Sequence, residues 1–209
     1  AMTHRRKLPS WQFDAARRPP QRQIPIGRVS LVRITDVNVI GLRCWCSWLN
    51  DPDARRHLES QGEWTPERLL KWFAAHKAAR ILSIKVDYRP VGTLKLGNLK
   101  RGEWANLGLM IGEKAVWGRG VGPHAIEKAC RLARRAGCWG VWAGIREANV
   151  TSSRAFAKAG FELVGRVEDC DGKFWPMGGV FPEECQEMLD ATKKWSRQPP
   201  RLVVMRRLT

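Results

Sequence analysis

The sequence predicts a mixed α/β domain (α+β), with a mixed central sheet and helices on both faces. Three observations indicate this class: an alternating apolar segment near residue 30, a hairpin signal between residues 81 and 97, and two strand–helix units after residue 105. The 209 residues fit one domain, because domains usually hold about 100–200 residues.

The first predicted strand and helix have clear boundary signals. The segment VSLVRI (29–34) alternates apolar residues, as strands with one buried face do. Asp36 is a suitable cap for a helix over 37–49, and Asn50-Asp51-Pro52 ends that helix.

A second helix and a hairpin follow. Thr65-Pro66-Glu67 begins the helix, because Thr is a good cap and Pro suits the first turn. The apolar residues predicted to share its buried face are Leu69, Leu70, Phe73 and Ala74. Strands over 81–86 and 91–97 flank Asp87-Tyr88-Arg89-Pro90, which predicts a hairpin.

The centre of the chain contains a strand, a glycine-rich loop and two further strand–helix units. The strand ANLGLMIG (105–112) leads to the loop WGRGVG (117–122). The elements predicted after this loop are a helix over 123–137, a strand over 139–145, a helix over 151–159 and a strand over 161–167.

The two ends of the chain are less regular. Residues 1–28 are rich in Arg and Pro, and they predict a flexible arm before a single domain over 29–209. Residues 171–200 form an irregular insertion that includes a helix-like stretch over 182–195. The segment RLVVMRRL (201–208) reads as a closing strand.

The net charge of +17 is concentrated at the ends. Residues 1–28 carry +6 and residues 193–209 carry another +6, which leaves +5 for the residues between them. Such basic arms either bind a nucleic acid or an acidic partner, or remain solvated tails, and both interpretations stay open.

Cysteine usage and hydropathy argue against a metal-binding, a membrane-spanning or a secreted protein. The six cysteines form no Cys-x-x-Cys pair and no zinc-type spacing with histidine, so free thiols are expected and a metal site is not. No apolar run approaches the ~18 residues of a membrane span, and no secretory signal is seen. A cytoplasmic protein without membrane contact is the expectation.

The glycine-rich loop is the first chemical signal. Gly118, Gly120 and Gly122 follow a strand and open a helix, where backbone N–H groups attract phosphate. The loop lacks the Lys-Ser/Thr that a nucleotide-hydrolysing P-loop requires. An antiparallel meander precedes it, which argues against a dinucleotide-binding βαβ unit. The alternative interpretation of the loop alone is an ordinary tight turn.

The second signal lies one strand–helix unit later. Asn149 and Ser152 surround a helix start, where short polar side chains act as caps, and Gly160-Phe161 ends that helix. Together ANLGLMIG, WGRGVG and NVTSSRAFAKAGF (149–161) resemble the GNAT superfamily of N-acetyltransferases. WLNDPDARRHLE (48–59) and VGTLKLGN (91–98) are similar to its ribosomal-protein N-terminal and amino-sugar acetyltransferase branch.

This resemblance implies the GNAT fold and acetyl-CoA as cosubstrate. The pyrophosphate of CoA would lie on the loop, and the pantetheine arm would pair with the end of the preceding strand. The implied cofactor-binding residues are Met110, Ile111, Trp117, Gly118, Arg119, Gly120, Val121, Gly122, Asn149 and Ser152. Family members usually carry Arg or Gln where Trp117 stands, so Arg119 is the expected charged phosphate contact.

Amine acetylation also needs a proton acceptor for the amine and a donor for the leaving thiolate. Many family members use a Tyr as the acid, but the only tyrosine, Tyr88, lies in a predicted turn. The resemblance to the ribosomal-protein branch implies Ser152 as the candidate acid, with helix capping as its alternative role. Asn106 stands where the histone-acetylating branch has its Glu, and it would orient a water molecule. Glu103 is the candidate base, with a solvated turn residue as the alternative.

The acceptor amine stays open at this stage. A small amine such as an amino-sugar nucleotide is the first hypothesis, with tryptophans as an apolar wall: Trp45, Trp48, Trp64, Trp72 and Trp104. The second is a macromolecular amine, namely a protein N-terminus, an aminoacyl-tRNA or a modified nucleic acid, which the basic ends favour. The third is a catalytically inactive CoA-binding module. A homodimer is an open expectation under each hypothesis.

Overall fold

A computed structural model describes residues 27–34, 39–58, 62–168, 173–176 and 202–209. In chain order, the described elements are β1 (Val29–Arg33), α1 (Val39–Asn50), α2 (Pro52–Arg55), α3 (Pro66–Ala75), β2 (Arg80–Val86), β3 (Arg89–Gly97), β4 (Trp104–Ile111), a 3₁₀ turn (Lys114–Val116), α4 (Val121–Arg135), β5 (Gly140–Arg146), α5 (Val150–Lys158), β6 (Glu162–Glu168), β7 (Lys173–Pro176) and β8 (Leu202–Leu208). The predicted α/β class is confirmed.

The described strands form one mixed sheet in the order β1-β2-β3-β4-β5-β8-β6-β7. Only β4 and β5 pair in parallel, and every other neighbouring pair in this part of the chain is antiparallel. The strand β8 lies between β5 and β6 and therefore connects these two strands within the sheet.

Helices cover both faces of the sheet, as predicted. The alternation of β2 shows the division, because Ile84 packs against the cluster that holds α4 and α5, whereas Ile81 packs against the cluster that holds α1 and α3. On β4, Leu107 belongs to the first cluster and Met110 to the second. The two faces therefore have separate apolar layers.

Local capping and turn chemistry confirm several predicted boundaries. The Thr65 hydroxyl accepts a hydrogen bond from Arg68 N at 3.3 Å, and Pro66 is the first residue of α3. Asp87 and Tyr88 have φ values of 46° and 69°, the left-handed conformation that a two-residue hairpin turn requires. Asp36, the predicted cap of α1, lies outside the described residues.

One prediction of local detail is wrong. Leu70 is 46% exposed and Ala74 is also exposed. Leu69, Trp72 and Phe73 form the packed face of α3 instead, and Leu70 lies about 100° further round the helix axis. Within the segment 171–200, predicted as an irregular insertion, the structure describes β7, which pairs with β6 and is only four residues long. The helix-like stretch 182–195 lies outside the described residues.

No helix in the described ranges is long and apolar enough to cross a membrane. The same ranges hold no cluster of three His, Cys, Asp or Glu side chains placed to bind a metal ion.

Candidate functional site

The parallel strands β4 and β5 separate soon after they begin. Residues 104–106 of β4 lie beside residues 140–142 of β5, and the ladder between these two strands ends there. Beyond this point β4 pairs with β3 as far as Ile111, and β5 pairs with β8 as far as Arg146. The sheet therefore opens between residues 107–111 and 143–146. Backbone groups along such an opening are available to an extended ligand.

Two helices begin at the wide end of this opening. Because β4 and β5 are parallel, their carboxyl ends lie at the same edge of the sheet, where ligands of open α/β sheets bind. The loop after β4 leads to α4. Three residues separate β5 from α5, and in this short connection Asn149 N donates to Arg146 O at 2.8 Å. A Cβ built on Gly122 would lie only 3.5 Å from the Ala155 Cβ, so the two helices pack closely there.

The loop after β4 depends on glycine at two positions. Gly118 and Gly120 have φ values of 72° and 81°, a conformation that other residues rarely adopt. Gly120 is also the N-cap of α4, without any side-chain cap. The loop therefore ends at Gly120, two residues earlier than predicted, and Val121 and Gly122 belong to the first helical turn. The left-handed Gly120 directs the chain into the helix at that point.

The first turn of α4 is suited to binding an anion. Pro123 has no N–H group, so Val121 and Gly122 supply the backbone donors that follow the cap. The first turns of both α4 and α5 contain no acidic residue. The positive ends of two helix dipoles therefore meet at one edge of the opening.

Three buried side-chain nitrogen atoms around the opening have no hydrogen-bond partner within the described chain. They are Asn106 Nδ2, Arg119 Nε and Arg146 Nε. Asn106 is the last β4 residue paired with β5, Arg146 ends β5, and Arg119 lies in the loop before α4. A buried donor without a partner costs about 1–3 kcal/mol, so this set favours a ligand that supplies acceptor atoms.

Trp117 attaches the loop to the end of β4. Its Nε1 donates to Ile111 O at 2.8 Å, while the indole remains 42% exposed. The pantetheine arm is predicted to pair with Met110 and Ile111. The Ile111 carbonyl, however, already accepts one hydrogen bond from Trp117. The Trp117 side chain thus holds the loop in position against the end of β4.

Three polar residues at the start of α5 have different roles. Asn149 Oδ1 accepts from Ser152 N at 3.1 Å, so the Asn149 side chain is the helix cap. Ser153 Oγ donates to Asn149 O at 3.4 Å. The Ser152 hydroxyl makes no hydrogen bond with any residue that the structure describes, and it is partly exposed. Ser152 thus contributes its backbone to the cap and leaves its hydroxyl available.

Helix α1 lies on the opposite face of the sheet from α4, and the start of α2 contacts the loop after β4. A Cβ built on Gly112, just after β4, would lie 2.1 Å from the Trp48 Cγ, so the indole of Trp48 lies directly on this backbone. Lys114 Nζ forms ion pairs with Asp51 at 2.8 Å and with Asp53 at 2.7 Å. These contacts tie the start of α2 to the loop after β4.

His57 follows α2 and was not recognised from the sequence. Burial, followed by the charges of Arg56 and Arg146, lowers the pKa of His57 below its usual value. An imidazole with a lowered pKa is neutral at pH 7 and can accept a proton. The charge of Arg146, which ends β5, is the smallest of these three influences on His57.

Lys95 and Asn106 lie on the face that α1 and α3 cover. Lys95 pairs with Gly108 across β3 and β4, which makes Asn106 its diagonal neighbour at about 7–8 Å. Burial lowers the pKa of Lys95. A cation is therefore partly withdrawn from water on this side of the opening.

The structure does not bring Glu103 to this site. Glu103 precedes β4, whereas the loop follows β4, so the two lie about 26 Å apart along an extended strand. Its carboxylate pairs instead with Lys100 Nζ at 3.5 Å. Trp104 is equally remote, because it is buried against Gly140 at the same end of the strand.

The other tryptophans and the described cysteines are mainly structural. Trp45, Trp48 and Trp64 are buried in the apolar layer of α1 and α3, and the partly buried Trp72 packs against that layer. Trp45 stacks on Phe73 with ring centroids 5.0 Å apart. The cysteines that the structure describes are Cys44, Cys46, Cys130 and Cys138, and all four are free thiols. Burial is the main cause that raises the pKa of Cys130 to about 11, so it is protonated at pH 7.

Comparison with known proteins gives a family and a set of similar folds. Residues 28–162 match the family described as acetyltransferase (GNAT) domain. No curated protein matches the sequence significantly. Among solved structures, the chain is similar to the spermidine N-acetyltransferase from Vibrio cholerae in complex with CoA and spermine, at 13% identity and a TM-score of 0.63 over 86% of this chain and 95% of that chain.

Two further solved structures are similar to the same extent. One is the ribosomal-protein-alanine N-acetyltransferase from Brucella melitensis, at 15% identity and a TM-score of 0.58 over 87% of this chain and 99% of that chain. The other is an aminoglycoside acetyltransferase in complex with coenzyme A, at 13% identity and a TM-score of 0.62 over 87% of this chain and 95% of that chain. At these identities the likeness shows the fold.

Proposed function

The chain belongs to the acetyltransferase (GNAT) family, and from this premise we propose that it transfers the acetyl group of acetyl-CoA to a primary amine at the opening between β4 and β5. The observation that carries the proposal is the set of buried donors without partners, Asn106, Arg119 and Arg146, around two helix N-termini. A ligand with phosphates at one end and carbonyl groups along its length suits this arrangement.

The residues fit the parts of CoA as follows. The backbone N–H groups between Gly118 and Gly122 and the Arg119 guanidinium would hold the pyrophosphate. The free edge of β4 near Met110 and the amide of Asn149 would hold the pantetheine arm. Acetyl-CoA supplies an activated thioester, whose carbonyl carbon is attacked by the amine nitrogen as the C–S bond breaks.

We assign the two proton transfers to the side chains of Ser152 and His57. Ser152 donates a proton to the leaving thiolate, because its hydroxyl has no other hydrogen bond among the described residues. His57, rather than Glu103, takes a proton from the amine, because its imidazole is neutral and α2 is fixed beside the loop. Asn106 cannot act as a base, and its amide is a donor for the acetyl carbonyl or a water molecule.

Replacement of His57 by Gln should lower kcat/KM by about 10²-fold or more, which is the usual contribution of a general base. Wild-type activity should fall as the pH drops through the lowered pKa of His57, because the protonated imidazole cannot accept a proton. The variant should lack this fall. The measurement is the pH profile of kcat/KM, followed by thiol release.

Arg56→Gln provides a second test of the same assignment. Arg56 is exposed and its charge helps to lower the pKa of His57. Its removal should move the acidic fall in activity to higher pH and leave the rate at pH 8 unchanged. A His57→Gln enzyme with wild-type rate and an unchanged pH profile would show that another group is the base.

For the acceptor, we propose a small amine such as an amino-sugar nucleotide. The segments WLNDPDARRHLE (48–59) and VGTLKLGN (91–98) support this class, because they resemble the amino-sugar branch. The three similar structures are named for a polyamine, a ribosomal protein and an aminoglycoside, so the fold does not select among amines. The narrower ribosomal-protein and amino-sugar branch remains a prediction.

The test is a thiol-release assay with acetyl-CoA and four amines: an amino-sugar nucleotide, spermidine, an aminoglycoside and a peptide with an N-terminal alanine. The amino-sugar nucleotide should give the highest kcat/KM. Preference for spermidine would contradict the proposed acceptor class. Preference for the peptide would favour the macromolecular alternative, and absence of thiol release with all four would contradict the proposed activity on these amines.

A further inference from the structure

Helix α4 carries most of the charge excess of the central part of the chain. Its 15 residues include four Lys or Arg and one acid, Glu127, whereas residues 29–192 together carry only +5. The basic residues of α4 are Lys128, Arg131, Arg134 and Arg135. They lie in its second half, away from the turn that borders the opening between β4 and β5.

An open groove runs between this part of α4 and the edge strand β1. Its volume is about 290 Å³, and its lining includes four cationic residues: Arg28, Lys128, Arg131 and Arg135. The remaining described lining residues are Val29, Ser30, Leu31 and Leu132, so no carboxylate is among them. Arg131 pairs with Glu127 at 2.8 Å, but both side chains are about half exposed, and such a pair contributes little.

The groove is remote from the acetyl-transfer site. Lys128 and Arg135 are 7 and 14 residues beyond Val121, which corresponds to about 10–21 Å along the helix axis. Across the sheet, β2 and β3 separate β1 from β4, which adds about 14 Å. A ligand in this groove therefore does not occupy the opening between β4 and β5.

The basic N-terminal segment joins the chain at this groove. Arg28 is one of the lining residues, and its N–H donates to Asp87 Oδ1 at 2.7 Å, which fixes the backbone there. Residues 1–27 precede it with six Lys or Arg and a single acid, Asp14. The charge of this segment is thus covalently connected to the rim of the groove.

We propose that the groove between α4 and β1 is a binding site for the phosphodiester backbone of a nucleic acid. Lys128, Arg131 and Arg135 follow the i, i+3, i+7 spacing of one helix face and form a row about 10 Å long. Guanidinium groups bind phosphate oxygens in a bidentate manner. The described lining contains no aromatic side chain for base stacking, so the contacts are to backbone phosphates and independent of sequence. This inference does not depend on the proposed acetyl transfer.

The test compares two triple variants that lose the same charge. In the first, Lys128, Arg131 and Arg135 are each replaced by Gln, a good helix former. In the matched control, the exposed residues Arg43, Lys71 and Lys77, which lie on or just after α1 and α3, are replaced by Gln. The probes are a fluorescent 20-base-pair DNA duplex and a 20-nucleotide single-stranded RNA, titrated at salt concentrations from 50 to 200 mM.

The groove variant should bind at least about tenfold more weakly at 50 mM salt, and its log–log salt slope for the duplex should fall by roughly 2 to 3, as expected for three lost phosphate contacts. The control should retain most of the affinity, and both variants should keep the wild-type circular dichroism and melt. Equal losses in the two variants, or wild-type affinity in the groove variant, would overturn the proposal. So would absence of wild-type binding to both probes, or equal affinity for poly-glutamate, which would indicate an acidic protein partner.

Discussion

A Gly120→Glu variant should bind CoA at least about 100-fold more weakly than the wild type, a loss of about 2.8 kcal/mol. Gly120 ends the loop with a φ of 81° and precedes the N–H groups of Val121 and Gly122. A carboxylate at this position competes for those donors and repels the pyrophosphate that the proposal places there. Isothermal titration calorimetry with CoA measures the effect.

Gly120→Ala is the matched control for this variant. It introduces the same strain of a left-handed non-glycine residue, about 1–2 kcal/mol, without any charge. The alanine variant should therefore keep most of the CoA affinity. Equal weakening by Ala and Glu would mean that backbone geometry, not charge, is the cause. A folded Glu variant with unchanged affinity would remove the loop from the CoA site.

The parts of the fold that the sequence predicts well are those set by neighbouring residues. Thr65-Pro66 specifies the start of α3, and Asp87-Tyr88 specifies a hairpin, because capping and turn chemistry act within a few residues. Helix α4 begins two residues before its predicted start, because Gly120 both ends the loop and caps the helix. The spacing of the glycines does not show that Gly120 has both roles.

The opening between β4 and β5 depends on sheet register, which period-two patterns do not specify. Residues of β4 show the same alternation before and after Asn106, yet only the first three pair with β5. The strand β8 lies between β5 and β6, although it comes last in the chain. Glu103 is close to Asn106 in sequence. Because β4 is extended and Glu103 precedes it, Glu103 lies far from the loop that follows the strand.

His57 illustrates a different limit of sequence analysis. It follows a helix of only four residues and belongs to no recognised motif. Its place depends on Lys114, which pairs with Asp53 across 61 positions of the chain. The segment Asp51-Pro52-Asp53 does predict a capped helix start. This local pattern does not identify Lys114, the residue that fixes the helix beside the loop.

The start of α5 allows the role of Ser152 to be tested without disturbing the helix cap. The cap is the Asn149 side chain, which accepts from the backbone N–H of Ser152. Alanine at position 152 retains this N–H group and has a higher helix propensity than serine. The melting temperature of Ser152→Ala should therefore equal or slightly exceed that of the wild type.

If Ser152 protonates the leaving thiolate, Ser152→Ala should lower kcat by about 10²–10⁴-fold, the usual contribution of general acid catalysis. The KM for acetyl-CoA should change little, because the loss affects the transition state more than the bound substrate. Ser153→Ala is the matched control, since the Ser153 hydroxyl already donates to Asn149 O and should leave kcat unchanged. Wild-type turnover in Ser152→Ala, or a loss confined to Ser153→Ala, would transfer the acid role away from Ser152. A large kcat loss with an unchanged melt, seen only at position 152, would identify its hydroxyl as the proton donor.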